Sequence, residues 1–413
     1  VLINKLTVSN LFSKINYLIM NKSIRKNIQK INYKNFKFTN RFINNQIDTL
    51  RGKLLLNKNV NIIKGVNKFK ILHITNFNER HDGRLQYNTG RRINNGFIRD
   101  NHNVMTISDR DVIHLSKSPF DITGIKTLNK KIISTAKTFR PDLVVLGHAD
   151  GVTNNTISEL KDINKSMKFS QWFLDPVSKS GPDYFKNKSR ILDKSKHMDA
   201  SFITTDPKSL DFEIINSFYM PNPCDISFET LNNFNYDGNS DLFFAMSHGV
   251  HRGKLKKGKS DNREKFLNKL TKISDKKIIF DFYGLNNREP IWAVDFLNTL
   301  SDSNMGLNLS RGKPTKYYSS DRIAQLFGNG LLTFIDSNTK YDDFFNNDEA
   351  IFYNDISDLS EKILKYKKDS KKRKLIAKNG KNKYFKYFNS SLVADYIVKK
   401  SFDIKSGNKF LWA

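Results

Sequence analysis

The side chains with chemistry to offer lie in loops that follow short apolar runs. In the second half, the run Asp241–Ser247 passes into His248-Gly249-Val250-His251-Arg252-Gly253-Lys254, with Lys256 and Lys257 behind it. Glycines there free the backbone for close approach, and Arg252 and Lys254 are charged donors of the kind that hold a diphosphate. The pair His248 and His251 is a weak signal for a metal. Further on, Asn308-Leu309-Ser310-Arg311 leads through Lys313, Tyr317 and Tyr318 to Asp321-Arg322-Ile323-Ala324-Gln325. A helix starting at Ser320 or Asp321 would direct free N–H groups and the positive end of its dipole into that basic loop, so an anion is the expected ligand. Gly328 and Gly330 close the helix and let the next apolar run begin tightly.

The first half offers acids and imidazoles instead. His148 and Asp150 follow the run Asp142–Gly147, Asp175 follows Phe169–Leu174, and Glu79 stands in the charged loop after Lys70–Asn76. Each is a candidate general base if it faces a cleft. Asp109-Arg110-Asp111, at the end of another run, has the spacing of carboxylates that hold Mn²⁺ or Mg²⁺. The preferred reading there is a surface loop, with no bound metal. Neither G-x-G-x-x-G nor G-x-x-x-x-G-K-[ST] occurs, which disfavours a dinucleotide-dependent dehydrogenase and a P-loop enzyme.

These loops need strands to carry them. From Lys70, apolar runs at Lys70–Asn76, Asn103–Ser108, Asp142–Gly147, Phe169–Leu174 and Ala200–Thr204 alternate with amphipathic stretches near Tyr87–Asn101, Gly124–Phe139 and Thr153–Lys165. That alternation predicts an α/β domain with a mainly parallel sheet. After a polar linker, Thr230–Ser240, a second series has strands at Asp241–Ser247, Lys277–Tyr283, Met305–Leu309, Gly330–Phe334 and Ala350–Tyr353. Its helices fall near Asn262–Ile273, Arg322–Phe327, Ile356–Tyr366 and Ser370–Tyr387. A last amphipathic segment, Ser390–Lys400, is placed to cross back onto the first domain. The expected units are 1–69, 70–235, 236–388 and 389–413.

Composition narrows the classes. The chain has 413 residues, with 70 Lys+Arg against 41 Asp+Glu, for a net charge of +29. Such a balance points to anionic partners, although Lys, Asn and Ile are abundant throughout. Residues 1–70 hold 15 Lys/Arg and a single acid, Asp48, about half the net charge. Leu11, Phe12, Ile15, Leu18 and Ile19 form an apolar stripe within this basic extension, which allows an anionic membrane surface as a partner. One cysteine, Cys224, excludes an intrachain disulfide and fits a reducing compartment. No helix-turn-helix, zinc-finger or RRM signature accompanies the charge, so nucleic acid is disfavoured.

The order strand, Arg322-Ile323-Ala324-Gln325, short helix, Gly330, apolar strand, Asp336 and Tyr341-Asp342-Asp343-Phe344-Phe345 resembles the carboxyl-terminal domain of GT-B glycosyltransferases. It is most similar to the "glycosyl transferases group 1" branch with spore-maturation-like proteins. The resemblance rests on motifs over about residues 240–400 and on alternation alone over 70–235. It implies two Rossmann-like domains facing a cleft, with a nucleotide-sugar in the second and a hydroxyl acceptor, glycan or lipid-linked, in the first. The nucleotide-sugar is a substrate, and no cofactor is expected. In that family an R-x-x-E-x-x-x-x-G segment occupies this place and its acid holds the donor's ribose. Arg322 matches the arginine, Gln325 the acid and Gly330 the glycine. Gln325 departs from the pattern, since an amide can bond ribose hydroxyls but lacks a carboxylate's charge.

The resemblance extends the donor site to His248, Gly249, Arg252, Lys254, Tyr283, Gly284, Arg311, Lys313, Asp321, Arg322 and Gln325. It makes His148, Asp150, Asp175 and Glu79 the candidates to activate an acceptor hydroxyl. The expected setting is cytoplasmic, with room for peripheral attachment at the inner face of the membrane. Two rival readings are a GT-B-like binding protein without turnover, which Gln325 favours, and a metal-dependent transferase using Asp109 and Asp111.

Overall fold

The computed structural model describes residues 8–35, 47, 68–247, 250, 251, 254, 255, 262–407 and 409–413. It divides into two compact units, 1–67 and 68–413. In the first unit, helices Val8–Met20 and Lys22–Asn35 are described. Leu11, Phe12, Ile15, Tyr17, Ile19 and Met20 of the former are exposed. No described helix is long and apolar enough to cross a membrane.

The second unit carries two sheets, each wholly parallel. The first has strands β1 (Lys70–Thr75), β2 (Asn103–Ser108), β3 (Leu143–Gly147), β4 (Lys168–Phe173), β5 (Ala200–Ile203) and β6 (Ser217–Tyr219), in the order β2-β1-β3-β4-β5-β6. Strands such as β3, buried along their whole length, read as unbroken apolar runs because helices cover both faces of a parallel sheet. The second sheet has β7 (Ser240–Ala245), β10 (Phe280–Tyr283), β11 (Ser303–Asn308), β12 (Leu332–Asp336) and β13 (Ile351–Tyr353), in the order β10-β7-β11-β12-β13. The short hairpin β8 (Val250–His251) and β9 (Lys254–Leu255) follows β7. Strand order reverses beside β1 in the first sheet and beside β7 in the second. Ligands in open α/β sheets bind beyond the carboxyl ends of the strands at such reversals.

Every strand expected from the sequence is present, within two or three residues at each end, and β6 extends the first sheet. Helices Asp109–Leu115, Tyr184–Ser195 and Ala293–Ser301 were not anticipated. The first of these corrects the surface-loop reading of Asp109-Arg110-Asp111. Both acids are buried, in the first turn of a helix that begins where β2 ends. The polar stretch Thr230–Ser240 is also more than a linker: Asn233 is buried, and its amide donates to Leu300 O (2.6 Å) and Ser303 O (2.8 Å).

The two sheets share one hydrophobic cluster. Ile93, Phe97 and Phe202 of the first half pack in it with Ile323, Phe327 and Tyr384 of the second. Helix Ser390–Ser401 packs against helix Thr89–Arg99 and adds Val393, Tyr396 and Ile397 to the same cluster. Its start lies so close to helix Thr89–Arg99 that a Cβ on Gly96 would stand 2.1 Å from Ser390 O.

Candidate functional site

The loops after β1, β7 and β10 meet the start of helix Arg322–Gly328 around a cavity of about 250 Å³. Asn78, Arg84, Tyr87 and Asn88 line it from the first half. Met246, Ser247, Trp292, Phe296, Asp321, Arg322 and Gln325 line it from the second. The β1 loop is fixed by Asn88, whose side chain accepts from Arg91 N (3.0 Å) and donates to Leu85 O (2.9 Å). Arg84 reaches across the cavity, its guanidinium 5.3 Å from the centre of the Trp292 ring. Burial, and then the nearby Arg80 and Arg84, lower the pKa of His81, so its neutral Nδ1 can accept from Arg84 Nη2 at 3.2 Å. Arg84 therefore brings a held cation to a space lined by aliphatic, aromatic and amide side chains together with Asp321 and Arg322.

Arg322 lies at the cavity, but its guanidinium turns toward the backbone. Nη2 and Nε donate to Ala245 O (2.9 and 3.2 Å), and Nη1 donates to Leu309 O (2.8 Å) and Ser320 Oγ (3.0 Å). The plane stacks on Phe244 at 4.4 Å. Arg322 thus ties the ends of β7 and β11 together, which corrects its expected role as a direct diphosphate ligand. The helix start is corrected too. The N–H groups of Ile323, Ala324 and Gln325 are taken by Ser320 O and Asp321 O (3.3, 3.1 and 3.3 Å), and the Asp321 carboxylate borders the cavity where an anion was expected. Gln325 does face the cavity, with Nε2 3.4 Å from Asp321 Oδ2.

The remaining donor-side candidates are dispersed. His248, Gly249 and Arg252 lie outside the described residues, and of Lys254 only the backbone, in β9, is described. Gly284 has φ +77°, and a Cβ there would lie 1.8 Å from Met246 O, so glycine lets the β10 loop run against the β7 loop. Tyr283 turns to Arg288, which donates to its hydroxyl at 2.5 Å. Arg311 and Lys313 stand in the loop after β11 and do not line the cavity. Arg311 is 3.5 Å from Asp183, and in the same loop Thr315 Oγ1 bonds Ser178 Oγ (3.0 Å), so this segment braces the two halves.

On the first half, His148, Asp150 and Asp175 gather around Arg190, a residue in a Lys-rich helix with no sequence signal of its own. Arg190 holds Asp150 with two bonds (Nε 2.9 Å, Nη2 2.7 Å) and Asp175 with one (3.1 Å). Leu174 N–H donates to His148 Nε2 at 2.8 Å, while Nδ1 lies 3.2 Å from Arg190 Nη2 and 3.7 Å from Asp175 Oδ2. Burial lowers the pKa of His148 to about 4, Asp175 opposing this and Arg190 adding to it. A general-base role does not fit, since the basic nitrogen already accepts a backbone N–H. His148 instead orders the β3 and β4 loops. Asp150 and Asp175 remain half exposed with lone pairs available. Glu79 stands apart from this group, exposed in the 3₁₀ turn after β1.

Asp111 organises that turn. Its carboxylate accepts from Glu79 N (2.8 Å), Arg80 N (3.3 Å), Arg80 Nη1 (2.6 Å) and Ser108 Oγ. These donors outweigh burial and hold its pKa below the usual carboxylate range. Asp109 is buried with Oδ1 unpaired, and burial raises its pKa to about 6. Of the D-x-D carboxylates, Asp111 is therefore part of the loop's framework, and Asp109 is a buried acid beside it. Among the described residues no group of three or more His, Cys, Asp or Glu is arranged to hold a metal.

The "Glycosyl transferase-like" family model matches residues 263–399. Three solved structures have a similar fold. One is Alr3699/HepE of Anabaena in complex with UDP and glucose (11% identity, TM-score 0.51, covering 81% of this chain and all of that one). The second is an α-glucosyltransferase solved with UDP-glucose and DNA containing an abasic site (14%, 0.53, 82% and 99%). The third is the sucrose-phosphate synthase of Thermosynechococcus elongatus (9%, 0.52, 82% and 99%). No curated protein sequence matches significantly. Residues 263–399 thus match a glycosyl transferase-like family model, within a chain whose fold is GT-B.

Proposed function

We propose that this chain is a glycosyltransferase that moves a sugar from a nucleotide-sugar donor to a hydroxyl acceptor. The observation that carries the reading is the cavity at the carboxyl ends of β1 and β7, bordered by Arg84, Trp292, Asp321 and Gln325 and closed by a domain of glycosyl transferase-like sequence. Solved structures of the same fold hold UDP or UDP-glucose. In this reading the nucleotide lies against the second half, with Gln325 bonding the ribose. Arg84 and the basic run after Ser247 (Arg252, Lys254) stabilise the leaving diphosphate electrostatically. Asp150 or Asp175 takes the acceptor proton if the transfer inverts the anomeric centre. The acceptor is a glycan or a lipid-linked hydroxyl, and transfer proceeds without a bound metal; that Asp111 already receives four protein donors supports this against a metal at Asp109 and Asp111.

Calorimetric titration with nucleoside diphosphates tests the assignment. Removing a charge-assisted contact costs about 1.5–3 kcal/mol, so Arg84→Ala should weaken binding roughly ten- to a hundredfold while the melting temperature stays within a few degrees. Unchanged affinity in the folded variant would remove Arg84 from the site. Turnover should survive EDTA, and loss restored by Mn²⁺ would favour the metal-dependent rival. Gln325 supports a second reading, binding without turnover; tight nucleotide-sugar binding with neither transfer nor donor hydrolysis would select it.

A further inference from the structure

The end of helix Asp109–Leu115 and the segment joining it to helix Ile125–Phe139 line no part of the cavity, yet they hold three large apolar side chains in water. Leu115 is 79% exposed, Phe120 94% and Ile122 80%. Single exposed apolar residues are ordinary on any surface, but several on one short stretch are not. The loop is also firmly built. Ser118 and Asp121 exchange backbone hydrogen bonds of 3.1 Å, turning the chain at Pro119-Phe120. The Asp121 carboxylate accepts from Gly124 N (2.8 Å), Thr127 N (2.7 Å) and Thr127 Oγ1 (2.7 Å). Gly124, at φ +74°, lets the loop pass so close to the preceding helix that a Cβ would lie 2.1 Å from Ile113 O. A loop tied down this way cannot fold its apolar tip inward, so it presents that tip to whatever lies outside.

Exposed lysines lie beside the tip: Lys117 precedes it in the loop, Lys126, Lys130 and Lys137 line one surface with Thr123 and Ile125, and Lys131 is exposed on the same helix. Of these, Lys137 has an acidic neighbour, Glu159 at 3.8 Å. Asp109 and Asp111 are buried, and Asp121, held ionised by its bonds to Thr127 and Gly124, is the one acid at the tip itself, so the lysines leave this face net positive. Lysine is depleted from the cores of protein interfaces, and aliphatic Leu115 and Ile122 give no stacking surface for bases. An apolar tip beside a cationic face matches instead the boundary between acyl chains and anionic headgroups.

We infer that this face docks on an anionic lipid surface, with Phe120 and Ile122 entering the headgroup boundary and the lysines facing phosphates. The inference goes beyond the transfer reaction and does not depend on it. The test uses the full chain carrying Phe120→Trp, compared with the parent and its own Trp172, Trp292 and Trp412. On vesicles with about a third phosphatidylglycerol, the emission of the introduced indole should shift to the blue and be quenched by brominated acyl chains beyond the parent's change, with little response to neutral vesicles. Phe120→Asp with Ile122→Asp should lower the partition coefficient at least about tenfold and leave nucleoside-diphosphate affinity unchanged, which separates this surface from the cavity. Vesicle binding by the Phe120→Trp chain with no quenching beyond the parent's would overturn the inference, because attachment would then come from elsewhere, such as residues 1–67. So would a concentration-dependent dimer abolished by Phe120→Asp, or an indole response to oligonucleotides and not to vesicles.

Discussion

At the scale of single residues, position and role separate. Arg322 and Gln325 both reach the cavity, as their spacing suggested, but spacing cannot say which way a guanidinium turns. The carbonyls of Ala245, at the end of β7, and of Leu309, just past β11, decide it, 77 and 13 residues away in sequence. Arg322→Ala should therefore act on stability first, leaving two strand-end carbonyls without their charged donor. A loss of about 2–4 kcal/mol in denaturant unfolding is expected, whereas Gln325→Glu should be near neutral in stability and keep or improve nucleotide affinity. If Arg322→Ala keeps its stability and loses only affinity, the guanidinium faces the ligand after all. Asp109 gives a pH signature. Its pKa, raised by burial from 3.8 to about 6, means that the folded state keeps a proton the unfolded chain releases. Its contribution to stability is therefore intact below about pH 4 and is lost as pH rises through 6. Asp109→Asn removes that dependence, so the variant should gain on the parent by up to about 3 kcal/mol between pH 4.5 and 8. A pH-independent difference would mean that Asp109 ionises normally.

At the scale of elements, strands were the most legible feature, because a strand buried on both faces must be apolar at every position and so interrupts a lysine- and asparagine-rich chain visibly. Helices that face solvent were harder to read. Tyr184–Ser195 has Lys186, Lys188 and Lys194 among its twelve residues and buries Tyr184, Asn187, Ile191, Lys194 and Ser195, too few apolar positions to show a helical period. Asp109–Leu115 is too short to show one at all. The last helix was expected to be amphipathic, but Val393 through Val398 are all buried, so it is covered nearly all round, and the contact that seats it could not be read from the sequence. Gly96 lies mid-helix, where a glycine ordinarily weakens the helix, and only the structure shows Ser390 O pressed against it. Gly96→Ala should therefore destabilise despite alanine's higher helix propensity, by about 1–3 kcal/mol as expected for overpacking. A stabilised variant would mean that the two helices stand further apart.

At the scale of the whole molecule, two periodic series of strands suggested two domains, and two sheets are present, yet residues 68–413 form one compact unit. Sequence periodicity reports how each sheet is built and carries no information about what lies between sheets. Between them lies a continuous apolar cluster and a buried ion pair, Arg92–Glu229, in which Arg92 Nε stands 3.2 Å from each carboxylate oxygen and both side chains are almost fully buried. Burial and pairing oppose each other at Glu229, where burial prevails and raises its pKa. The pair is thus poor evidence for net stability, but removing one partner leaves the other charged in an apolar setting, at about 3–5 kcal/mol. Because Glu229 also accepts from Asp225 N (2.6 Å) and a Cβ on Gly328 would lie 2.4 Å from its side chain, the penalty is felt in both halves. Trp172 of the first half and Trp292 of the second should accordingly report one shared unfolding midpoint in the parent, and Glu229→Ala should move both midpoints down together. Replacing the pair jointly, as Arg92→Met with Glu229→Leu, should recover most of the loss, since no buried charge is then left alone. Separate midpoints for the two tryptophans, with one unmoved by Glu229→Ala, would show that the sheets fold independently and that the cleft between them is held by weaker forces than this shared core supplies.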